Sequence, residues 1–241
     1  MASFRRPFHR AVAKLAASLN TDLLLEAQCF HGGGTQLALT HDEFRLSADL
    51  DFLCSKRDGY RRVREQVTET SLGQIFRSPI RLARSVNTAN DGIRTAIDVD
   101  GQIVKFAILI EARLDLVGKV APPLAIPTLA FEYAVAEKFL ANADRGLDDA
   151  THQRDVVDLA VLAAHHGVAS LRPGLELAKR AYGGAVERCL WLVVDSLQKP
   201  GRMPAVCSSL AIDDPAPLRK GLRVLPQLRD RSPRPCPAPR P

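Results

Sequence analysis

Hydrophobic positions repeat with two different periods along the chain. Over residues 8–19 they recur at helical spacing, at Phe8, Val12, Leu15 and Leu19. Residues 49–54 (DLDFLC) alternate instead, which predicts a strand with one apolar and one polar face. Beyond residue 127 the period is helical again, with predicted helices at 129–143, 152–166, 171–182 and 186–198.

The region between these patterns is rich in β-branched residues. Turn signals at 90–92 and 100–101 divide residues 80–114 into three predicted antiparallel strands. The segment VAPPLAIP, residues 120–127, has the composition of a linker. We therefore predict an α+β chain, with an α/β domain at residues 1–119 on a mixed or antiparallel sheet and a helical bundle at 120–199.

Shorter elements are predicted around the first part of the sheet and at the C-terminal end. Thr21 is expected to cap a short helix at 22–27, and a strand at 29–31 leads into three glycines, residues 32–34, before a helix that opens at Thr35. A charged, exposed helix is predicted at 59–68. Residues 200–241 accumulate Pro and Arg, which predicts a partly disordered tail with one helix at 218–228.

Composition narrows the class of protein only a little. The 241 residues carry a formal charge of +6, concentrated at the two ends, which favours nucleotide or nucleic-acid partners weakly. Five cysteines without a CxxC pair argue against a disulfide framework or a zinc site and favour a reducing cytoplasm. No run of about 18 apolar residues occurs, so no membrane span is expected.

The most informative chemistry lies between residues 32 and 52. Asp49 and Asp51 leave the same face of a strand about 7 Å apart, where paired carboxylates can bind Mg²⁺ or Mn²⁺ together with triphosphate oxygens. The glycine turn before a helix offers free N–H groups and a positive dipole end for those phosphates. Either feature alone is common as a solvated strand end or a plain turn. Their combination is more specific.

These residues carry a family resemblance. GGGTQLALTHDEFRLSADLDF (32–52) resembles the first motif of the polymerase-β-like nucleotidyltransferase superfamily, and more closely that of the AbiEii/AbiGii-type nucleotidyltransferase toxins. AEKFLANADRGLDDATHQRDVVDLAVL (136–162) resembles a second block of the same toxin family. The resemblance spans roughly residues 5–185, so it covers most of the chain. It implies a polymerase-β-like domain followed by a helical bundle.

The resemblance implies a role for each matching position. The residues implied to bind the nucleotide are Gly33, Gly34, Thr35, Ser47 and Lys138. The residues implied to bind the metal are Asp49 and Asp51, and those implied to be catalytic are Asp49, Asp51, Lys138 and Asp158. Ser47 is expected to touch phosphate or receive a modification, and Asp158 to assist or orient the attacking group. The roles of Arg154 and Asp155 are less defined.

Simpler interpretations exist for the helical residues. Glu137 and Lys138 could form a solvated charge pair. Arg154 and Asp158 stand at i,i+4, the spacing of an ordinary salt bridge within a helix. Asp155 could favour the N-terminal half of its helix through the dipole alone.

One position departs from the family pattern. In VKFAILIEAR (104–113), Ala107 stands where the family has an acid that would complete the metal site. Glu111 follows on the same strand face, but about 13 Å further on. Asp98 and Asp100 on the preceding strand are other candidates for this carboxylate.

Two functions compete at this point, with a purely structural module as a third possibility. The first is a metal-dependent toxin that transfers a nucleoside monophosphate to an RNA end, with tRNA favoured, or to a protein hydroxyl, and has a cognate antitoxin. The second is a catalytically weakened nucleotide- or RNA-binding homologue, which the absence of an acid at Ala107 favours.

Overall fold

The computed structural model describes residues 4–229, which form a mixed sheet and a set of helices. The N-terminal elements are α1 (Pro7–Ala17), α2 (Thr21–Glu26), β1 (Cys29–Gly32), α3 (Gly33–Thr40), β2 (Asp49–Cys54), α4 (Arg57–Arg64), β3 (Arg81–Ala89), β4 (Gly92–Val99), β5 (Gln102–Ile110), β6 (Gly118–Ala121) and β7 (Ile126–Leu129). They are followed by α5 (Phe131–Arg145), α6 (Arg154–His166), α7 (Arg172–Tyr182), α8 (Ala185–Leu197), α9 (Arg202–Ser209) and α10 (Ala216–Val224). Short 3₁₀ turns lie at Gly73–Ile75, Asp149–Thr151, Val168–Leu171 and Leu225–Leu228.

The seven strands form one sheet in the order β3-β4-β5-β2-β1-β7-β6. β2 pairs with β5 in parallel, and β1 pairs with β7 in parallel, while the other neighbours are antiparallel. The predicted α+β class with a mixed sheet is confirmed, as is the antiparallel run of β3, β4 and β5. The division into two domains stays a prediction.

Two hydrophobic cores lie on either side of this arrangement. One core packs α1 and α2 against the sheet and contains Leu50, Phe52 and Phe106. The other packs α5 to α10 together with the ends of β1 and β7. Because the even-numbered residues of β2 are fully buried in the first core, Asp49 and Asp51 must face the opposite side.

The predicted linker at 120–127 is wrong. β6 and β7 form a hairpin that joins the sheet beside β1, and the predicted domain boundary after residue 119 falls inside β6. Of the three prolines that suggested a linker, Pro122 and Pro123 lie in the turn, and Pro127 lies in β7 opposite Val120 of β6. All four residues of β7 are buried, so burial and pairing override the local signal.

The tail predicted at 200–241 is folded over most of its described length. The predicted helix at 218–228 corresponds to α10 and the 3₁₀ turn after it, but α9 was not predicted. The buried hydrophobic residues of this segment, which belong to the helical core, are Val206, Leu210, Ile212, Leu218, Leu222, Leu225 and Leu228. The predicted disorder of the last ten residues lies outside the described residues.

Smaller boundaries also differ. Asn20, not Thr21, caps α2, because its Oδ1 accepts a hydrogen bond from the Leu23 N–H at 3.3 Å. α3 begins at Gly33, two residues before the predicted start. Within residues 4–229, no helix combines the length and apolar character needed to cross a bilayer.

Candidate functional site

The two strand aspartates share one face, as predicted. The Asp49 side chain is 40% exposed, and its Oδ1 lies 3.9 Å from the Lys105 Nζ on β5. Asp51 is largely buried, and burial, followed by the nearby Asp49 charge, raises its pKa to about 6. The pair therefore combines one accessible carboxylate with one that burial makes harder to ionise.

The glycine turn faces these carboxylates. Gly32 pairs with Asp51 across β1 and β2, and Gly33 has φ +80°, in the left-handed region that favours glycine. A Cβ at Gly33 would lie 3.6 Å from the Asp51 Oδ2, so the start of α3 is next to that carboxylate. The free N–H groups and positive dipole end of α3 are thus close to Asp51.

Gly34 has a different constraint. A Cβ there would overlap Nη2 of Arg45 and lie 3.1 Å from its Cζ and 3.2 Å from the Ser47 Oγ. Thr35 Oγ1 donates to the same Ser47 Oγ at 2.8 Å. Gly34, Thr35 and Ser47 are therefore packed together at the start of α3, and glycine at position 34 leaves room for the Arg45 guanidinium.

A buried network of charges lies behind the turn. Arg45 donates to Asp158 from Nε at 2.6 Å and from Nη2 at 2.9 Å. Lys138 Nζ contacts Asp158 Oδ2 at 2.7 Å and Asp155 Oδ1 at 3.0 Å. Arg145 donates to Asp155 from Nε at 2.9 Å and from Nη2 at 3.2 Å.

Burial and charge act in opposite directions in this network. Burial alone would raise the pKa of Asp155, but the Lys138 and Arg145 cations hold that pKa well below its usual range. Burial would lower the pKa of Arg45, yet Asp158 raises it. Asp155 and Arg45 therefore stay charged at neutral pH, and removing a partner of either would leave an uncompensated buried charge.

The bend, an aspartate and the lysine converge on one cavity. Gly33, Asp51 and Lys138 line a cavity of about 280 Å³ together with Arg145. The rest of its lining combines apolar and charged side chains, namely Leu53, Leu109, Ile110, Glu111, Arg113, Glu137, Ala141 and Asp144. Asp49 is half-exposed and is not among the lining residues, and Asp158 is fully buried and in contact with Lys138.

A larger cavity of about 400 Å³ lies elsewhere, between the end of α1 and the turn that joins β4 to β5. Its charged residues neutralise each other, because Lys14 pairs with Asp100 and Arg81 pairs with Asp98. We therefore place the functional site at the smaller cavity.

Among the described residues, no third carboxylate joins Asp49 and Asp51. Ala107 is the direct neighbour of Asp51 on β5. Glu111 is bound by Arg113, whose Nε lies 3.0 Å and 3.1 Å from its two oxygens. Asp98 accepts a hydrogen bond from the Gly101 N–H at 2.7 Å in the β4–β5 turn. Within residues 4–229, no group of three or more His, Cys, Asp or Glu side chains is arranged to bind a metal ion.

The donor set nevertheless fits a hard cation that also takes phosphate ligands. Two carboxylates supply oxygen ligands, and Mg²⁺ characteristically binds one or two carboxylates plus substrate phosphates and water. The raised pKa of Asp51 reflects burial and an unbalanced neighbouring charge, which a bound cation would relieve. Asp49 and Asp51 are the residues that would hold it.

The simpler interpretations of the helical residues are wrong. Lys138 is 5% exposed and not solvated, and Asp158 pairs with Arg45 and Lys138 in place of Arg154. Asp155 binds two cations, so it does more than complement a helix dipole. The sequence signal for Asp158 is an acid inside an otherwise apolar helical stretch.

Histidines add contacts that the sequence did not reveal. His31, interpreted from sequence as a strand-end residue, is buried, and its Nδ1 lies 3.0 Å from the Asp51 carbonyl oxygen. Burial lowers the pKa of His31 to about 4, so the ring is neutral beside the site. α6 ends at His166 before Gly167 as predicted, but the His166 Nε2 also contacts the His41 Nε2 at 2.7 Å. This contact joins the end of α3 to the end of α6.

The sequence model of one protein family matches most of the chain. Described as "Nucleotidyl transferase AbiEii toxin, Type IV TA system", it covers residues 21–220. The chain belongs to this family. It is therefore a nucleotidyltransferase, and its family is one of toxins from toxin–antitoxin systems, which implies a nucleotide substrate and an antitoxin partner.

Solved structures show a distant similarity. A candidate nucleotidyltransferase from H. pylori is 16% identical over 95% of this chain and 99% of its own, with a TM-score of 0.44. JHP933 from Helicobacter pylori is 12% identical over 82% of this chain and 100% of its own, with a TM-score of 0.35. An antigenic nucleotidyltransferase-like protein from Paracoccidioides brasiliensis is 12% identical over 90% of this chain and 92% of its own, with a TM-score of 0.36. Among curated proteins, none shows significant sequence similarity.

Proposed function

We propose that this nucleotidyltransferase transfers a nucleoside monophosphate from a nucleoside triphosphate to an RNA end, with tRNA as the favoured acceptor. The observation that carries the proposal is the convergence of Gly33, Asp51 and Lys138 on one cavity. The N–H groups at the start of α3 and the Lys138 ammonium bind phosphate oxygens there. Mg²⁺ or Mn²⁺ held by Asp49 and Asp51 would supply further positive charge for the triphosphate.

Orientation and charge neutralisation supply most of the catalysis in such a transfer. Asp158 is fully buried and bound to both Arg45 and Lys138, so its role is to position the lysine and the turn. Ser47 acts with Thr35 in supporting the start of α3, where the phosphates bind. Leu53 and Leu109 provide an apolar surface for the nucleoside at the other end of the cavity.

The open face of the sheet favours a polyanionic acceptor. Lys105 lies opposite Asp49, and Arg94 lies opposite Ala107 on the neighbouring strand. The Lys105 side chain is 76% exposed, and the Arg94 side chain is 40% exposed and paired with Asp91. Cations beside the half-exposed Asp49 would bind phosphates of an incoming RNA strand, and this contact would weaken with salt. A protein hydroxyl would gain less from them.

The weakened homologue is a second candidate because Ala107 leaves the pair of aspartates without a third acid. Nucleotide binding would then persist while turnover falls, since general-base catalysis alone contributes about 10² to 10⁴.

Four free thiols among the described cysteines, Cys29, Cys54, Cys189 and Cys207, support a cytoplasmic location for either candidate.

A transfer assay separates the two candidates. Purified protein is incubated with each labelled nucleoside triphosphate, Mg²⁺ and total tRNA, beside an Asp49→Asn variant. Label in tRNA that requires Asp49 supports the transferase, and binding without transfer supports the weakened homologue. Absence of metal-dependent nucleotide binding would discard both.

An added acid tests the departure at position 107. Ala107→Glu places a carboxylate beside Asp51 and is expected to raise the transfer rate by about tenfold or more. Ala96→Glu, on the same sheet face but opposite Lys105, serves as the matched control. An unchanged rate in Ala107→Glu would mean that this position does not contribute an acid to the reaction.

A further inference from the structure

Two cations at the cavity share the Asp155 carboxylate. Asp155 is buried and binds Lys138 on one side and Arg145 on the other. Lys138 and Arg145 both line the cavity that contains Gly33 and Asp51. Asp155 therefore fixes the positions of both cations relative to the glycine turn.

Arg145 retains donors that the protein does not use. It is the last residue of α5, and its side chain is 41% exposed. Nε and Nη2 donate to Asp155, whereas Nη1 donates to no group within residues 4–229. A guanidinium oriented by one carboxylate, with N–H groups still free at a cavity, suits an anion with several oxygens.

Three cations favour the charged form of Asp51. Lys138, Arg154 and Arg145 all act on the charge of Asp51, so all three are near it. In the part of the chain that the structure describes, the Arg154 side chain makes no hydrogen bond or ion pair. The acids of the network, Asp155 and Asp158, are already shared with Lys138, Arg145 and Arg45.

We propose that Arg145, held by Asp155 beside Lys138, binds the β- and γ-phosphates of the substrate and thus the pyrophosphate that leaves. The inference rests on the proposed nucleotidyl transfer. In that step the acceptor oxygen bonds to the α-phosphorus and its proton passes to solvent at the open side. The bond from the α-phosphorus to the bridging oxygen breaks, and pyrophosphate departs with the electron pair, which Arg145 neutralises.

This role differs measurably from a purely structural one. A residue that binds the β- and γ-phosphates contributes to triphosphate affinity but not to monophosphate affinity. A residue that only supports the fold affects both alike, or neither. The comparison of the two ligands therefore isolates the proposed contact, independent of turnover.

The experiment measures equilibrium binding of each of the four nucleoside triphosphates and its monophosphate, with Mg²⁺, to the full chain. Arg145→Gln is compared with wild type, and Arg180→Gln, an exposed arginine on α7, is the matched control. We expect Arg145→Gln to weaken triphosphate binding about 10- to 100-fold and to leave monophosphate binding unchanged. Inhibition by free pyrophosphate should weaken by a similar factor.

Arg145→Lys provides a second test, because it keeps the charge but cannot fork between Asp155 and a phosphate. It should fall between wild type and Arg145→Gln in triphosphate affinity. Equal losses for triphosphate and monophosphate, or unchanged binding of both, would overturn the role of Arg145 while leaving nucleotidyl transfer intact. If the wild-type protein binds no triphosphate, the proposed function itself fails, and this inference with it.

Discussion

Gly34→Ala tests whether the glycine turn and the buried charges form one unit. The added Cβ would overlap Nη2 of Arg45 and lie 3.1 Å from its Cζ. Non-bonded heavy atoms prefer roughly 3.5–4.0 Å, so the guanidinium must move away. It cannot move freely, because its Nε and Nη2 are bound to Asp158 at 2.6 and 2.9 Å. Asp158 is fully buried, so no water can replace a lost contact.

The expected cost follows from how much of that ion pair breaks. Losing one charge-assisted hydrogen bond costs about 1.5–3 kcal/mol. Breaking a buried ion pair completely costs about 3–5 kcal/mol, because it leaves uncompensated charge. Lys138 still contacts Asp158, so we expect the free energy of unfolding to fall by about 2–4 kcal/mol. Nucleotide binding should weaken as well, since Arg45 and Lys138 share this carboxylate.

Urea unfolding at neutral pH measures the change, with Gly184→Ala as the control. A Cβ at Gly184 would meet only Nη1 of Arg188, at 3.9 Å, and the glycine has φ −67°, so alanine fits there. We expect that control to be neutral or stabilising by up to about 1 kcal/mol. Gly34→Ala combined with Asp158→Asn should cost clearly less than the sum of the single changes. Additive costs, or a loss below about 1 kcal/mol for Gly34→Ala, would refute the coupling.

Two predictions concern titration. Without metal, the NMR signal of the Asp51 carboxyl carbon should titrate near pH 6. In Asp49→Asn the pKa of Asp51 should fall, because the neighbouring charge is removed although burial remains. An unchanged midpoint would mean that Asp49 does not act on Asp51. Burial and the neighbouring histidines lower the pKa of His41 from 6.5, and burial and His165 lower the pKa of His166. The unfolded chain therefore binds more protons than the folded chain, so the free energy of unfolding should fall as the pH drops below about 6.5. His41→Phe should flatten that slope in urea unfolding between pH 5.5 and 7.5, and an equal slope would contradict this assignment.

The sequence predicts an element well where the period of its own side chains sets which of them are buried. β2 alternates between fully buried Leu50 and Phe52 and the less buried Asp49 and Asp51, as a half-buried strand must. The helices from α5 to α8 follow the apolar period within two residues of the predicted bounds. The predictions were wrong where local composition obscured the hydrophobic period. The prolines of residues 120–127 suggested a linker in place of β7, and the Pro- and Arg-rich stretch after residue 199 hid α9.

The candidate site divides in the same way. The glycines and the Asp-x-Asp spacing are local, so the sequence alone identified a turn and a carboxylate pair. The partners of Asp158 are not local: Arg45 lies 113 residues away along the chain, and no periodicity links them. Asp155 and Arg145 were assigned no phosphate role from sequence for the same reason.

The sequence by itself determined the periods of the helices and strands and the shared face of Asp49 and Asp51, because backbone geometry sets where successive side chains point. Only the tertiary structure decided that β6 and β7 complete the sheet, that β2, β5, α3 and α5 converge on one cavity, and that Asp158 of α6 binds Lys138 there. The physical reason is that a buried charge requires an opposite charge in contact with it. That partner is chosen by packing in three dimensions, not by distance along the chain.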